Sequence, residues 1–541
     1  MNDLQHMYDA GAQDSKQRKD ASMMLRALKA KYANVLALPS EPHIKQAISK
    51  MRAKEKRDNL PKNGTAAKYA LALLTLINFL NYMDRSTVSA VLPHIQKFYD
   101  ITAREAGYIQ TAFIMANIII SPIFGYLGDR ISRKLIVING IAIWSFFTLA
   151  GSFVGQNYFW MFVLMRGMVG VGEASYIIVA YSIVGDLFSR ESRPLALGIF
   201  SLAMPFGCGG GYMVGATAYK TASHLMSSSN QAYAWQWAFR ITPILGVIFI
   251  ITSIFFLPDP ERGNADDVPE LDKRTSFLTD IAILCQNGSV VFATFGYISL
   301  DFVGGSLGYW TPTYVDENHA DAGIPFGGSV NFGIATIIGG IGGVLIGVYI
   351  SKLLKRKFEM TYADALVSGV GLFVCAPSLF CAIILIKPLP LLGWVLVLGT
   401  LISMVLVWPL VPNIFLETVV PTRRALVSGI SNLIANAFGD AISPVIVGHI
   451  NDEMEKHTTP HKALQYGLMV NVLVAAIGGV LFVISALFFK RDYRICQNRM
   501  SKGRQSDPAS ENTQKCTCEA NTDDSKCSFC IQKSSFDKIN V

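Results

Sequence analysis

Asp84, Arg166 and Glu173 lie inside otherwise apolar stretches, in NYMDRSTVSAVLP and RGMVGVGEASY. An ionisable side chain at membrane depth costs at least about 2.5–3.5 kcal/mol on insertion scales, which makes each of them a functional candidate. Arg166, Gly170 and Glu173 recur at helical spacing, and at about 1.5 Å rise per residue they share one face over roughly 10 Å. Counting depth in the same way puts Glu173 near the middle of its stretch, Arg166 to one side of it, and Asp84 between those levels on its own stretch. Asp84 is therefore expected to pair with Arg166 and to feel the charge of Glu173. Two carboxylates sharing one guanidinium would share protons as well as charge, which suits a proton-coupling element. A static buried ion pair that fixes helix packing would put the same residues in the same places.

A second set is weaker. Asp301 falls mid-stretch in YISLDFVGGSLGYWTP, and Ser428, Asn432, Asn436 and Asp440 recur every four residues. That recurrence gives a drifting polar stripe, suited equally to a water-filled cavity and to an interhelical hydrogen-bond seam. Tyr309, Trp310, Phe113, Phe206 and Trp408 could wall a cavity or simply pack the bundle, and Arg240 could snorkel to an interface. Pro205-Phe-Gly-Cys-Gly-Gly-Gly211 and Trp408-Pro409…Pro412 are places where helices bend. The apolar stretches contain no nucleophile–base pair and no metal-ligand set, so neither an enzyme nor a metal or other cofactor is expected. No G-x-x-x-x-G-K-[ST] motif supports an ATP-driven pump.

The elements that must position these residues follow from composition. Of 541 residues 51% are hydrophobic and only 16% charged, against about 25% charged in ordinary soluble domains. A water-facing globule is excluded. So is a secreted disulfide scaffold, since the nine cysteines are sparse and several lie in apolar runs. A net charge of +8 does not call for nucleic acid, because the basic residues cluster at tails and loop rims. What remains is an all-α polytopic membrane protein with twelve transmembrane helices in two pseudo-symmetric six-helix bundles.

The expected division is a basic region 1–66, a first bundle 67–257, a linker 258–287 with an interfacial helix, a second bundle 288–489 and a tail 490–541 without order. Lys and Arg are concentrated on the loop side that includes Arg130, Arg133, Lys134, Lys355, Arg356 and Arg424, which makes that side, and both termini, cytoplasmic. The basic arm before residue 67 would meet anionic lipid head groups. Weak sorting-like patterns occur at Met23-Met24-Leu25 and Tyr32-x-x-Val35. Cys516, Cys518, Cys527 and Cys530 have ligand-like spacing but lie in a short polar tail, where palmitoylation suits them better than zinc. The sequons at Asn63 and Asn287 fall on the cytoplasmic side and are expected to stay unused.

The halves repeat. Gly125-Tyr-Leu-Gly-Asp129-Arg130-Ile-Ser-Arg133-Lys134 matches Gly347-Val-Tyr-Ile-Ser351-Lys352-Leu-Leu-Lys355-Arg356 in frame. Asp186, Arg193 and Gly198 match Glu417, Arg424 and Gly429 with identical separations. The G-x-x-x-D-R-x-x-R-K pattern in a six-plus-six chain resembles the major facilitator superfamily over about residues 67–489. The resemblance implies that Gly125, Asp129, Arg130 and Arg133 form a cytoplasmic gate, with Asp186, Arg193, Glu417 and Arg424 as partners. Ser351 departs from the pattern by replacing the acid of the second copy.

NYMDRSTVSAVLP, GYLGDRISRK, RGMVGVGEASY…DLF, ALGIFSLAMPFGCGGGYMVG and WQWAFRITP resemble the Spinster branch of that superfamily. Membership would imply a monomeric, possible proton symporter for an amphipathic lipid, a lysophospholipid or a sphingolipid such as sphingosine-1-phosphate. The membrane would be lysosomal or late endosomal, or the plasma membrane. On this resemblance Asp84, Arg166 and Glu173 serve coupling and switching. The stretch after Tyr176 lacks an expected proline, and Asp301 stands where a small apolar residue is expected. The rival readings are a facilitator for a small organic anion or sugar, and a transport-inactive membrane receptor or scaffold acting through its tails.

Overall fold

The computed structural model describes residues 65–128, 130–188, 192–228, 230–259, 284–319, 327–420 and 423–505, and among them there is no strand. In a bilayer every backbone N–H and C=O must be satisfied within its own segment, so near-continuous apolar stretches become helices. The first half contains α1 (Thr65–Ala90), a short α2 (Leu92–Tyr99), α3 (Ala103–Gly128), α4 (Arg133–Gly151), α5 (Phe159–Leu187), α6 (Arg193–Leu225) and α7 (Ala238–Phe256), the last preceded by a 3-10 turn. The second half contains α8 (Gly288–His319), α9 (Gly328–Phe358), α10 (Ala363–Leu385), α11 (Pro390–Val405) with α12 (Leu410–Thr418), α13 (Arg424–Ala435) with α14 (Ser443–Glu455), and α15 (Pro460–Gln505). Pro409 separates α11 from α12, and a π turn at Asn436–Asp440 separates α13 from α14.

Eleven of the described helical stretches are long and apolar enough to cross a membrane. The twelfth crossing is α1, equally long but carrying Lys68, Asp84 and Arg85. On its outer face α7 exposes Ile244, Ile248, Ile251 and Phe255 at helical spacing, a stripe made for acyl chains.

The two halves pack alike. In the first, α1 lies on α6, α3 and α4 both lie on α5, and α7 lies on α4; in the second, α8 lies on α13 and α14, α9 and α10 both lie on α11, and α15 lies on α10. Across the seam α3 meets α14 and α6 meets α9, two contacts that exchange when the halves are swapped.

The helix ends near the chain termini and the 129–132 loop define a tail side, and the opposite ends a far side. On the far side the halves are locked. Asp452 on α14 accepts hydrogen bonds from the Ala103 and Arg104 amides at 2.8 and 2.9 Å, capping the N-terminus of α3. A Cβ on Gly448 would lie 2.4 Å from the Ala103 carbonyl oxygen, and one on Gly107 would lie 2.8 Å from Val445 Cα. On the tail side the seam is open, for a Cβ on Gly125, Gly185, Gly198 or Gly429 would meet nothing within 4 Å. The structure is thus closed at the far side and open at the tail side.

Two expectations need correction or completion. The last helix was expected to end at 489 and give way to an unordered tail, but α15 runs on to Gln505. The reason is Asp492, whose carboxylate accepts from the Ser289 amide at 2.8 Å and the Ser289 hydroxyl at 2.9 Å, so the extension holds the start of α8. The basic N-terminal arm, most of the linker with its interfacial helix, and Cys516, Cys518, Cys527 and Cys530 lie outside the described residues.

Close helix approach makes a direct test. A Cβ on Gly170 would lie 2.2 Å from the Phe113 carbonyl oxygen, where α5 crosses α3. Gly170→Ala should therefore destabilise by about 1–3 kcal/mol and lower the melting temperature in detergent. Gly185→Ala, on the same helix with open space around it, should leave the melting temperature unchanged or raise it slightly.

Candidate functional site

Asp84 is the hub of the first half. It is 3% exposed, and Arg166 Nη1 on α5 lies 3.3 Å from its Oδ2. Thr148 on α4 donates to the same oxygen at 3.2 Å, and Thr242 on α7 donates to Oδ1 at 2.5 Å. One carboxylate on α1 therefore gathers α4, α5 and α7, as a buried charge must to satisfy its lone pairs. Arg166 Cζ also lies 5.5 Å from the Phe113 ring centroid and 5.8 Å from that of Phe239, close enough for cation–π attraction.

Glu173 is equally buried, two turns along α5. It lies within electrostatic reach of Arg85, Asp84 and Arg166, but among the described residues it has no ion pair of its own. Gly170 between Arg166 and Glu173 does leave room for an approaching helix, and the backbone of α3 fills that room.

Arg85 is the cation next to this cluster, and it belongs to both halves. Its Nη2 pairs with Asp440 Oδ2 in the π turn, and its Cζ lies 5.5 Å from the centroid of the Phe113 ring that Arg166 also approaches. A quarter of the Arg85 side chain is exposed, in contrast to 2% of Arg166. Arg85 is thus the less buried of the two arginines.

The second set divides in two. Asp301 and Asp440 are both 8% exposed and lie together, with Trp408 Nε1 donating to Asp301 at 3.4 Å. Along the polar stripe Asn432 is exposed, Asn436 half-buried and Asp440 buried, so the stripe descends from the open tail side into the seam. Tyr297 donates to Asn432 at 3.0 Å. Tyr309 and Trp310, expected among the cavity residues, do not line an open cavity here. Both rings are buried in the seam, with Tyr309 donating to the Ala106 carbonyl at 2.5 Å and Trp310 to the Pro444 carbonyl at 3.0 Å.

At the tail-side rim Arg133 pairs with Asp186 inside the first half. Lys355 Nζ bridges Asp364 at 2.6 Å and Glu417 at 2.7 Å inside the second. Arg133 and Lys355, and likewise Asp186 and Glu417, are repeat equivalents, so the two pairs are copies of each other. Glu417 serves Lys355 of its own half, and among the described residues its ion pair is to that lysine. Ser351 hydrogen-bonds Asp364, so the acid missing from the second copy comes from the next helix. Arg130 stacks over Tyr126 at 4.4 Å, Arg193 and Arg424 open α6 and α13, and Asp129 lies outside the described residues.

Residues 74–444 match the family model described as Major Facilitator Superfamily. "Protein spinster homolog 1" of Xenopus laevis is 39% identical over 437 residues, 78% of this chain and 80% of its own length. The chain belongs to the Spinster branch of the major facilitator superfamily. A second relative, the "Sphingosine-1-phosphate transporter SPNS2" of Xenopus tropicalis, is 35% identical over 441 residues, 79% of this chain and 83% of its own. A solved bacterial homolog of the human lysosomal transporter Spinster, in an inward-facing unoccupied conformation, matches with a TM-score of 0.64 at 19% identity, covering 81% of this chain and 98% of its own. This Spinster-family chain is an integral membrane transporter, not an enzyme, with the twelve-helix facilitator fold.

Sequence reasoning missed the roles of four residues in this Spinster chain. Arg85 was visible as a charge in α1, but nothing in its spacing pointed to Asp440. Thr148 and Thr242 look like ordinary polar residues of apolar helices. Asp364 carried a signal: it is an acid at the first turn of an apolar helix, a short turn beyond Lys355.

Removing one partner of a buried ion pair strands the other. Asp84→Asn should destabilise by about 3–5 kcal/mol, seen as a lower melting temperature. The double variant Asp84→Asn, Arg166→Gln should recover part of that loss, and a double-mutant cycle measures how much.

Proposed function

We propose that this protein is a secondary active transporter of an amphipathic lipid, a lysophospholipid or a sphingolipid such as sphingosine-1-phosphate, driven by protons through Glu173. It works by alternating access, with the tail side cytoplasmic by the positive-inside rule and the protein resident as a monomer in lysosomal, late endosomal or plasma membrane. The observation that carries this reading is the Arg85 position: a side chain only three-quarters buried, paired across the halves with Asp440 and close to Glu173. A lipid phosphate competes with Asp440 for that guanidinium, and Arg suits a phosphate through its fork of N–H donors. Half-exposed Phe206 and Trp408 offer apolar surface for the chain.

Glu173 supplies the coupling. Ionised, it completes a carboxylate pair around the two guanidiniums; protonated, it leaves Arg85 to Asp440 and the substrate. Proton transfer at Glu173 thus changes how strongly the first half holds Arg85, which is the group that ties it to the second. The lipid class is supported by the relatives' names, and the proton by the carboxylate without an ion pair of its own.

The test is uptake of labelled lysophosphatidylcholine and sphingosine-1-phosphate into proteoliposomes, with and without a pH gradient. Uptake should rise several-fold with the gradient, and Glu173→Gln should abolish that rise. Flux that ignores the gradient and survives Glu173→Gln removes the coupling. Uptake of a sugar or a small organic anion without any lipid flux removes the substrate class.

A further inference from the structure

Asp301 stands where the Spinster pattern calls for a small apolar residue, and the structure gives it a neighbour. A Cβ on Gly439 would lie 2.9 Å from Asp301 Cβ, so Asp301 packs directly against the π turn that ends in Asp440. One turn beyond Asp301, a Cβ on Gly305 would lie 2.2 Å from Asp440 Oδ1. Two glycines therefore let the π turn pack directly on α8, which brings the two acidic residues together. The π turn contributes as well: the Ala441 amide reaches back to the Asn436 carbonyl at 2.9 Å, and the wider turn sets Asp440 against α8. Such turns are frequent at functional sites.

These carboxylates are under-supplied with positive charge. Asp440 gives Oδ2 to Arg85, while its Oδ1 is buried without a hydrogen-bond partner. Among the described residues Asp301 accepts one long bond, from Trp408. Across the membrane-depth cluster the carboxylates of Asp84, Glu173, Asp301 and Asp440 outnumber the guanidiniums of Arg85 and Arg166. A purely anionic head group would add to that surplus. A cationic group would relieve it, and half-buried Trp408, whose indole N–H reaches Asp301, supplies an aromatic ring of the kind that attracts ammonium ions.

We propose that Asp301 and Asp440 form a subsite for an ammonium group on the transported amphiphile, so that this chain selects zwitterionic or aminated lipids over purely anionic ones. The inference rests on the lipid-transport reading and narrows it. A zwitterionic head group fits as an inserted pair: its phosphate takes Arg85, and its ammonium takes Asp440, which Arg85 releases, with Asp301 beside it. Charge stays balanced at each end of the exchange, and the tie between the halves passes through the substrate.

The test uses the purified full-length protein in nanodiscs and two palmitoyl probes, lysophosphatidylcholine and lysophosphatidylglycerol, both phosphodiesters, of which only the first carries an ammonium group. Quenching of tryptophan fluorescence reads binding. The choline lipid should bind about tenfold tighter, a ratio within reach of one ion-pair or cation–π contact to its quaternary ammonium. Asp301→Asn should bring the two lipids within about twofold by weakening the choline lipid alone, and Asp301→Glu should keep the preference. Trp408→Phe, a second route if Asp301→Asn does not fold, should lower the preference in the same direction, read by tracer displacement. Equal binding of both lipids by the unaltered protein, or an equal loss of both in Asp301→Asn, overturns the subsite and leaves lipid transport standing. Loss of proton-driven flux in Asp301→Asn with the preference intact overturns it too, because the pair then holds a proton. If neither lipid binds, the lipid-transport reading falls with it.

Discussion

A guanidinium cannot give up its charge, so wherever Arg85 goes a partner must follow. In this structure the partner is Asp440, on the other half of the molecule. That requirement organises the centre of the protein. It fixes the level at which the halves meet, it brings the π turn against α8, and it places Glu173 where its charge state matters to a bond it does not make. A low-charge chain that retains these groups at membrane depth must satisfy them in every conformation, which limits the conformations it can visit.

The remaining charged contacts stay mostly within a half. Asp84 with Arg166, Arg133 with Asp186, and Lys355 with Asp364 and Glu417 each join helices of one bundle. They stiffen the bundles without linking them. What differs between open and closed sides is therefore the seam, where glycine backbones interlock on the far side and stand apart on the tail side. Alternation between the two arrangements needs no ion pair inside a bundle to break, and this is how a pair of rigid units can rock about a central substrate.

The helices and their count were legible because hydrophobic length is a strong signal and membrane backbone has few alternatives. The Asp84–Arg166 pairing was legible for a similar reason, since helical rise converts sequence position into depth and depth restricts who can meet. Arg85 with Asp440 was not, because depth alone leaves several helices open and the choice is made by packing between residues 355 positions apart. The second rim showed a subtler failure. Comparing repeats position by position found Ser351 where an acid was due, while the structure supplies the acid from Asp364 on the adjacent helix. Repeats preserve a charge arrangement in space more faithfully than they preserve the residue that carries it. The end of α15 was missed because polarity marks the edge of the bilayer, and helix can continue past that edge when Asp492 has a helix start to cap.

The Asp452 clasp on the far side has an acceptor on one half but only main-chain amides on the other. Nothing in the identity of Ala103 or Arg104 is needed to form it, so evolution can tune it from α14 alone. It also sits at a helix end, where water can replace each partner as soon as the clasp opens. The far-side lock is for that reason a latch of low mechanical resistance, its strength set by hydration rather than by shape. The deep contact between the halves, which water cannot so easily replace, is the one that must be answered by a cargo.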